Sequence, residues 1–253
     1  MKNPLLHTLS ALLIAGALAP TLAQAAQHDS DYGQIQEASW RGDLAALTAL
    51  SRALATQADL SNNDAEANYV AAYADYRIAG AGQRNVDANR ITINDALARA
   101  QRRLETLSTR ATPMQAEALA LLSSVYGWEI SMDPVKGMTL GMKAGTTIAQ
   151  AEKLDPSNPR VLLIKGIGKL FTPPLFGGSR EDALQSFQAG IANLPAVRYT
   201  AVNWGLDDLY IWRGMTEQGA GEVAKARASF QQALLVAPKQ AWAARMLRES
   251  APK

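Results

Sequence analysis

The chain has 253 residues, 48% of them hydrophobic and 19% charged, with 25 Lys and Arg set against 23 Asp and Glu. That near-balance excludes the basic field on which nucleic-acid binding rests, and the hydrophobic content suffices for one elongated domain or a long repeat array. Cysteine is absent and histidine occurs only at His7 and His28, so disulfides, zinc sites and histidine-based triads lack their raw material.

At the N-terminus a single Lys2 precedes a largely apolar run, 9–18, followed by Pro20 and the small-residue pattern Ala23, Gln24, Ala25. This is the form of a secretory signal cut after Ala25. The run falls short of the roughly 20 residues that span a bilayer, and no cysteine follows it to carry a lipid anchor. Residues 1–25 are therefore expected to be a signal peptide. Residues 26–253 are expected to form a single helical domain, periplasmic or secreted, without a membrane span. Loss of Lys2 leaves 24 basic and 23 acidic side chains, net +1. His28 then falls in a loose N-terminal stretch.

Apolar residues recur from there on at helical spacing, and no alternating strand pattern competes. Gly42 and Asp43 mark a helix start, followed by Ala46, Leu50 and Ala53, a faint small, bulky, small pattern on one helix face. Tyr69, Tyr73 and Tyr76 share one face of the next helix. Ile93, Leu97 and Ala100 repeat the pattern weakly. Leu119, Ser123 and Tyr126 open a further unit, with a longer connection through Asp133, Pro134 and Gly137. The pattern is then clear three times, as Ala144, Ile148, Ala151, Pro156; as Ala183, Phe187, Gly190, Pro195; and as Ala226, Phe230, Ala233, Pro238. A small residue, a bulky one a turn later, a small one on the same face and a proline just past the end describe one amphipathic helix built repeatedly.

Each copy follows another helical stretch, so the unit is a helix pair: Leu162 and Gly166 precede Ala183, and Tyr210 and Gly214 precede Ala226. Asn158 before Pro159, and Ser179 before Glu181 and Asp182, are helix starts. From Gly166 to Ala183 is seventeen residues, against twelve from Gly214 to Ala226, which makes 172–178 an insertion. Last comes Ala241–Glu249, with Trp242, Met246 and Leu247 on one side and Arg245, Arg248 and Glu249 on the other. Such a helix closes the apolar end of a stack.

The unit 207–239, with Gly214, Ala226, Phe230, Ala233 and Pro238, resembles a tetratricopeptide repeat (TPR). Tyr210 stands where tryptophan is commonest and Glu217 where tyrosine is usual. The resemblance implies an all-α, TPR-like α-solenoid of about five helical hairpins plus a capping helix at about 240–249. Its last units fall at about 158–195 and 207–239, and the two N-terminal pairs are degenerate. It also implies that the first helix of each pair lines a concave groove, with Leu163, Ile167, Ile211 and Met215 pointing inward. The family's carboxylate-gripping grooves carry lysine and asparagine at such positions. The apolar residues here imply a groove for apolar surface.

Tyr69, Tyr73 and Tyr76 face that groove if Ala72 is the packing position of their helix, and turn into the helix interface if Ala71 is. Tyr126 and Trp128 pose the same choice. In the insertion, Leu175 and Phe176 either plug the groove or stand at its mouth against a ligand. Tucking is the expectation, because an exposed phenylalanine is costly without a partner. The candidate lining is thus Tyr69, Tyr73, Tyr76, Trp128, Leu163, Ile167, Phe176, Ile211 and Met215.

Catalytic chemistry finds little support. Glu181 with Asp182, and Asp207 with Asp208, precede apolar helical runs, where carboxylates complement the helix dipole. Neighbours in sequence do not face each other across a substrate. Ser123 and Ser124 have no nearby base and read as packing residues. Gly166 and Gly168 lie within a helix, and Gly177 with Gly178 lacks the lysine and hydroxyl residue of a phosphate loop. No catalytic residue, cofactor or metal is expected. The leading expectation is a non-catalytic periplasmic adaptor that binds an envelope protein or peptide segment in the apolar groove. The alternative is a small-molecule binder associated with a solute transporter, its apolar pocket rimmed by Tyr69, Tyr73, Trp128 and Phe176.

Overall fold

The computed structural model describes residues 15–61, 64–194 and 202–250, with side chains from residue 26 onward. Its helices in chain order are α1 (Ala15–Arg41), α2 (Leu44–Leu60), α3 (Ala65–Gly82), α4 (Val86–Ser108), α5 (Gln115–Met132), α6 (Gly137–Leu154), α7 (Pro159–Phe171), α8 (Arg180–Asn193), α9 (Leu206–Gly219), α10 (Val223–Val236) and α11 (Ala241–Glu249). Helices α3 to α10 pack as successive pairs, and each first helix of a pair also lies against the next first helix. The result is an all-α, TPR-like solenoid capped by α11, with no strand among the described residues. Most of the expected leader, 1–14, and Pro195 lie outside the described residues. Helix α1 runs unbroken past residue 25.

The helix starts read from sequence are real caps. Asp43 accepts from the Ala46 amide at 2.9 Å, Asn158 from the Arg160 amide at 2.9 Å and Ser179 from the Asp182 amide at 3.1 Å. Each satisfies a backbone donor that the first helical turn leaves unpaired.

The repeated residues are packing residues. Ala183, Phe187, Gly190, Ala226, Phe230 and Ala233 are buried, and each phenylalanine presses on the glycine of the preceding helix. A Cβ added to Gly214 would lie 2.6 Å from the Phe230 ring, and one on Gly166 would overlap Phe187. The copy in α6 is looser, with Ala151 buried but Ala144 and Ile148 half-buried. In α4 the expected Ile93, Leu97 and Ala100 are all buried.

In α2 the register differs from expectation by one residue. Ala53 is exposed, and the buried row is Leu47, Ser51, Leu54 and Ala58. Turning the leucines inward removes more apolar area from water than turning the alanines inward. At the Glu217 departure from the TPR pattern, a polar set replaces the aromatic ring. Buried Glu217 accepts from Ser229 Oγ at 2.5 Å, and that hydroxyl accepts from Arg213 Nε at 2.9 Å.

Candidate functional site

The inner face of the solenoid is partly occupied by the chain itself. Helix α1 packs more closely on α3 than on its sequence neighbour α2, and it reaches α11 at the other end. Its Tyr32, Ile35 and Ala38 are buried. From the segment before α9, Trp204 stacks on Tyr73 with ring centroids 4.8 Å apart, and its Nε1 donates to the Tyr69 hydroxyl at 3.2 Å. The Tyr32 ring lies tilted against that of Tyr73, with centroids 5.8 Å apart.

The tyrosines of α3 therefore face inward, onto a covered surface. Tyr69 and Tyr73 are fully buried, as are Leu163 and Ile211. This corrects the expectation that these four line an open groove. Leu163 sits under the turn at Gly205, and Ile211 is enclosed with Ala233 and Ala243 beneath α11. Nor is the N-terminal stretch loose at His28. The histidine is buried within α1, 3.7 Å from Asp31.

Two polar clasps hold this arrangement, and sequence reasoning passed over both. At the head of α9, Arg77 Nη1 donates to Asp208 at 2.7 Å and its Nε to Ser39 at 2.8 Å. Asp207 accepts from Trp40 Nε1 at 2.8 Å and from Gln240 Nε2 at 2.7 Å. Residues of α1, α3, α9 and the start of α11 thus meet at one point. Deeper in the array, Glu117 of α5 accepts from Arg160 Nε at 2.7 Å and Asn158 Nδ2 at 2.8 Å. The available signal was a charge set in an apolar run, as Glu117 is among alanines and leucines, since a buried charge must find a partner. The other acidic pair behaves as expected, with Asp182 at the head of α8 held 3.0 Å from Lys169.

Burial, with Asp208 alongside, pushes the Asp207 carboxyl up to about 6. A carboxyl that binds its proton more tightly folded than unfolded lowers stability as pH rises from about 4, its unfolded value, to about 6. Asp207→Asn is expected to remove that slope while keeping an acceptor for Trp40 and Gln240. The variant should gain melting temperature over wild type between pH 4 and 6, with a constant difference above. A difference independent of pH would place the cost of burial elsewhere.

Of the residues expected to line the groove, Tyr76, Trp128, Ile167 and Met215 are half-buried and come one each from α3, α5, α7 and α9. Tyr76 accepts from Ser124 Oγ at 3.1 Å. Ser123 donates to the Ala144 carbonyl at 2.9 Å, so both serines serve packing. Two shallow depressions, one lined by Leu44, Thr48, Arg52 and Thr92 and one by residues 221–225, include none of these four residues.

The insertion contradicts the expected tucking. Lys169 Nζ donates to the Gly177 carbonyl at 3.0 Å, and the Ser179 amide donates to the Lys169 carbonyl at 2.9 Å. The far end of the loop is thereby pinned back to the end of α7. Gly177 takes the left-handed turn that glycine permits, with φ 88°. Leu175 and Phe176 are left at the outer tip, 87% and 76% exposed. Beside them Phe171 meets Trp212 edge-on at 5.6 Å, and Trp212 meets Trp242 edge-on at 5.3 Å.

Paired helices, glycine-to-phenylalanine packing and a capping helix define a TPR-like α-solenoid. No protein-family model matches the sequence, and no curated protein matches it. Two solved structures are similar in fold. The HusA haemophore from Porphyromonas gingivalis is 18% identical with a TM-score of 0.57, over 74% of this chain and 94% of that one. A thermophilic TPR protein in Thermus thermophilus is also 18% identical, with a TM-score of 0.56 over 87% of this chain and 98% of that one. At such identity these likenesses establish the fold alone. No described helix is long and apolar enough to cross a membrane.

Proposed function

We propose that this chain is an exported, non-catalytic adaptor that binds an apolar or amphipathic protein segment along the open row of its inner face. The observation that carries the reading is that Tyr76, Trp128, Ile167 and Met215, on four successive first helices, are each only half-buried. With neighbouring helices about 8–10 Å apart, three steps make a row about 24–30 Å long. That is the length of a helix of about 16–20 residues. A line of separate apolar contacts fits an extended partner better than it fits one compact small molecule. A helical partner would lay its apolar face along the row.

Photo-crosslinking in cells tests this. A crosslinker at Trp128 and one at Met215 should trap the same envelope protein, and one at Gln188 on α8 should not. Ile167→Asp should lower that capture at least tenfold with helical circular dichroism unchanged, because Ile167 is only half-buried. Two unrelated adducts at the two positions would refute a single extended partner. A co-purifying apolar compound in native mass spectrometry, lost in Ile167→Asp, would move the assignment to a small ligand.

A further inference from the structure

We propose that Phe171, Trp212 and Trp242 form a recognition strip for a proline-rich segment in the polyproline II conformation, a site beyond the residues assigned to the adaptor reading. The three rings come from α7, α9 and α11. Each meets the next edge-on, with centroids 5.6 and 5.3 Å apart and planes at 88° and 83°. Phe171 is 67% exposed, and Trp212 and Trp242 are half-buried.

Core packing accounts for the other aromatic cluster and not for this one. Around Tyr73 the rings are enclosed, with Tyr32, Tyr69 and Tyr73 fully buried and Trp204 nearly so. The indole N–H groups divide the same way. Of the five tryptophans, Trp40 donates to Asp207, Trp204 donates to Tyr69, and Trp128 lies against the Tyr76 hydroxyl. The N–H groups of Trp212 and Trp242 have no partner among the described residues. An indole built into a core finds an acceptor, and one left free at a surface is a donor available to a ligand.

The strip therefore offers apolar ring surface and two donors, with no acceptor. A proline-rich chain is its complement. Polyproline II has no internal hydrogen bonds, so its carbonyls are open, and proline brings no N–H that needs an acceptor. Its conformation is largely set before binding, so little ordering entropy opposes docking on aromatic rings. The dimensions agree as well. With a rise of about 3.1 Å and three residues per turn, prolines i and i+3 lie on one side about 9 Å apart. The outer rings, Phe171 and Trp242, are at most about 11 Å apart. One turn of the segment thus sets a proline on each outer ring and passes its carbonyls over Trp212. A saccharide, whose hydroxyls donate as well as accept, would lack acceptors here, and rings at right angles give it no flat platform.

Phe171 lies four residues after Ile167, and Trp212 three before Met215. Helical spacing thus makes the strip border two of the residues assigned to the adaptor reading.

The test uses the full chain, labelled with nitrogen-15, and decaproline as the probe. Each tryptophan gives one indole signal, assigned by Trp→Phe replacement. Decaproline should shift the signals of Trp212 and Trp242 and leave those of Trp40, Trp128 and Trp204 in place. Phe171→Ala, at an exposed position, should weaken decaproline binding at least tenfold, as loss of an aromatic anchor does. Trp242→Phe keeps a ring and removes the N–H, and should weaken binding about fivefold, the usual worth of one neutral hydrogen bond. Unmoved signals at Trp212 and Trp242, or equal binding by Phe171→Ala, would overturn the proposal. So would chitotetraose shifting those two signals while decaproline does not, which would make the strip a saccharide platform. Decaproline binding that persists when crosslinkers at Trp128 and Met215 trap no partner upholds the strip and removes the adaptor. Silence toward decaproline with that capture intact does the reverse.

Discussion

Replacing Glu117 by alanine is expected to lower stability by about 3–5 kcal/mol, the usual cost of stranding one member of a buried ion pair. Arg160, 2% exposed, would lose its ion pair with that carboxylate. The damage also spreads to a helix start. Asn158, which caps α7 through the Arg160 and Val161 amides, is itself oriented by Glu117 Oε1. The head of α7 should therefore loosen, exposing Leu163. Urea denaturation would measure the loss. The double variant Glu117→Leu with Arg160→Leu should recover much of it, since two well-packed apolar groups avoid the desolvation of both charges. A loss below about 1 kcal/mol in Glu117→Ala would mean that water reaches the pair.

The second large effect lies in the repeat packing. Phe230→Ala is expected to cost about 3–5 kcal/mol, from lost transfer energy and the cavity left behind. Gly214→Ala is expected to cost about 1–3 kcal/mol by overpacking, as its methyl would collide with the Phe230 ring. The combination tells most. With the ring removed, the methyl enters empty space and the penalty of Gly214→Ala should vanish, so the two changes together cost less than their sum. Strict additivity in the denaturation cycle would show that the glycine is not there to admit the ring.

How much of this was legible follows from what each feature depends on. The packing positions of α8 and α10 could be read, because Ala183, Phe187, Ala226 and Phe230 encode a contact between helices adjacent in sequence. The tetratricopeptide register likewise picked out Leu163, Ile167, Ile211 and Met215 on α7 and α9. It did not say whether they are open, since period reveals which side of a helix is apolar and not what lies over it. The cover comes from α1 and Trp204, the latter 135 residues from the Tyr69 it bonds. The slip of α2 had a local cause, the competition of Leu47 and Leu54 with smaller neighbours. The insertion was misjudged because the cost of an exposed Phe176 was weighed without the Lys169 tie that holds the loop outward.

The clasps at Asp207 and Asp208 carry a consequence for how the molecule comes apart. A linear array frays from its ends, each terminal unit being held by one neighbour only. Here Trp40 and Asp207 are 167 residues apart, Arg77 and Asp208 are 131 apart, and Lys239 reaches Glu37 across 202. The first and last units share their bonds, so neither is a free end. Such high contact order slows folding, since large loops must close before these contacts form. In return, unfolding should run as one cooperative transition, and shortening the chain at its C-terminus should first be felt at its N-terminus.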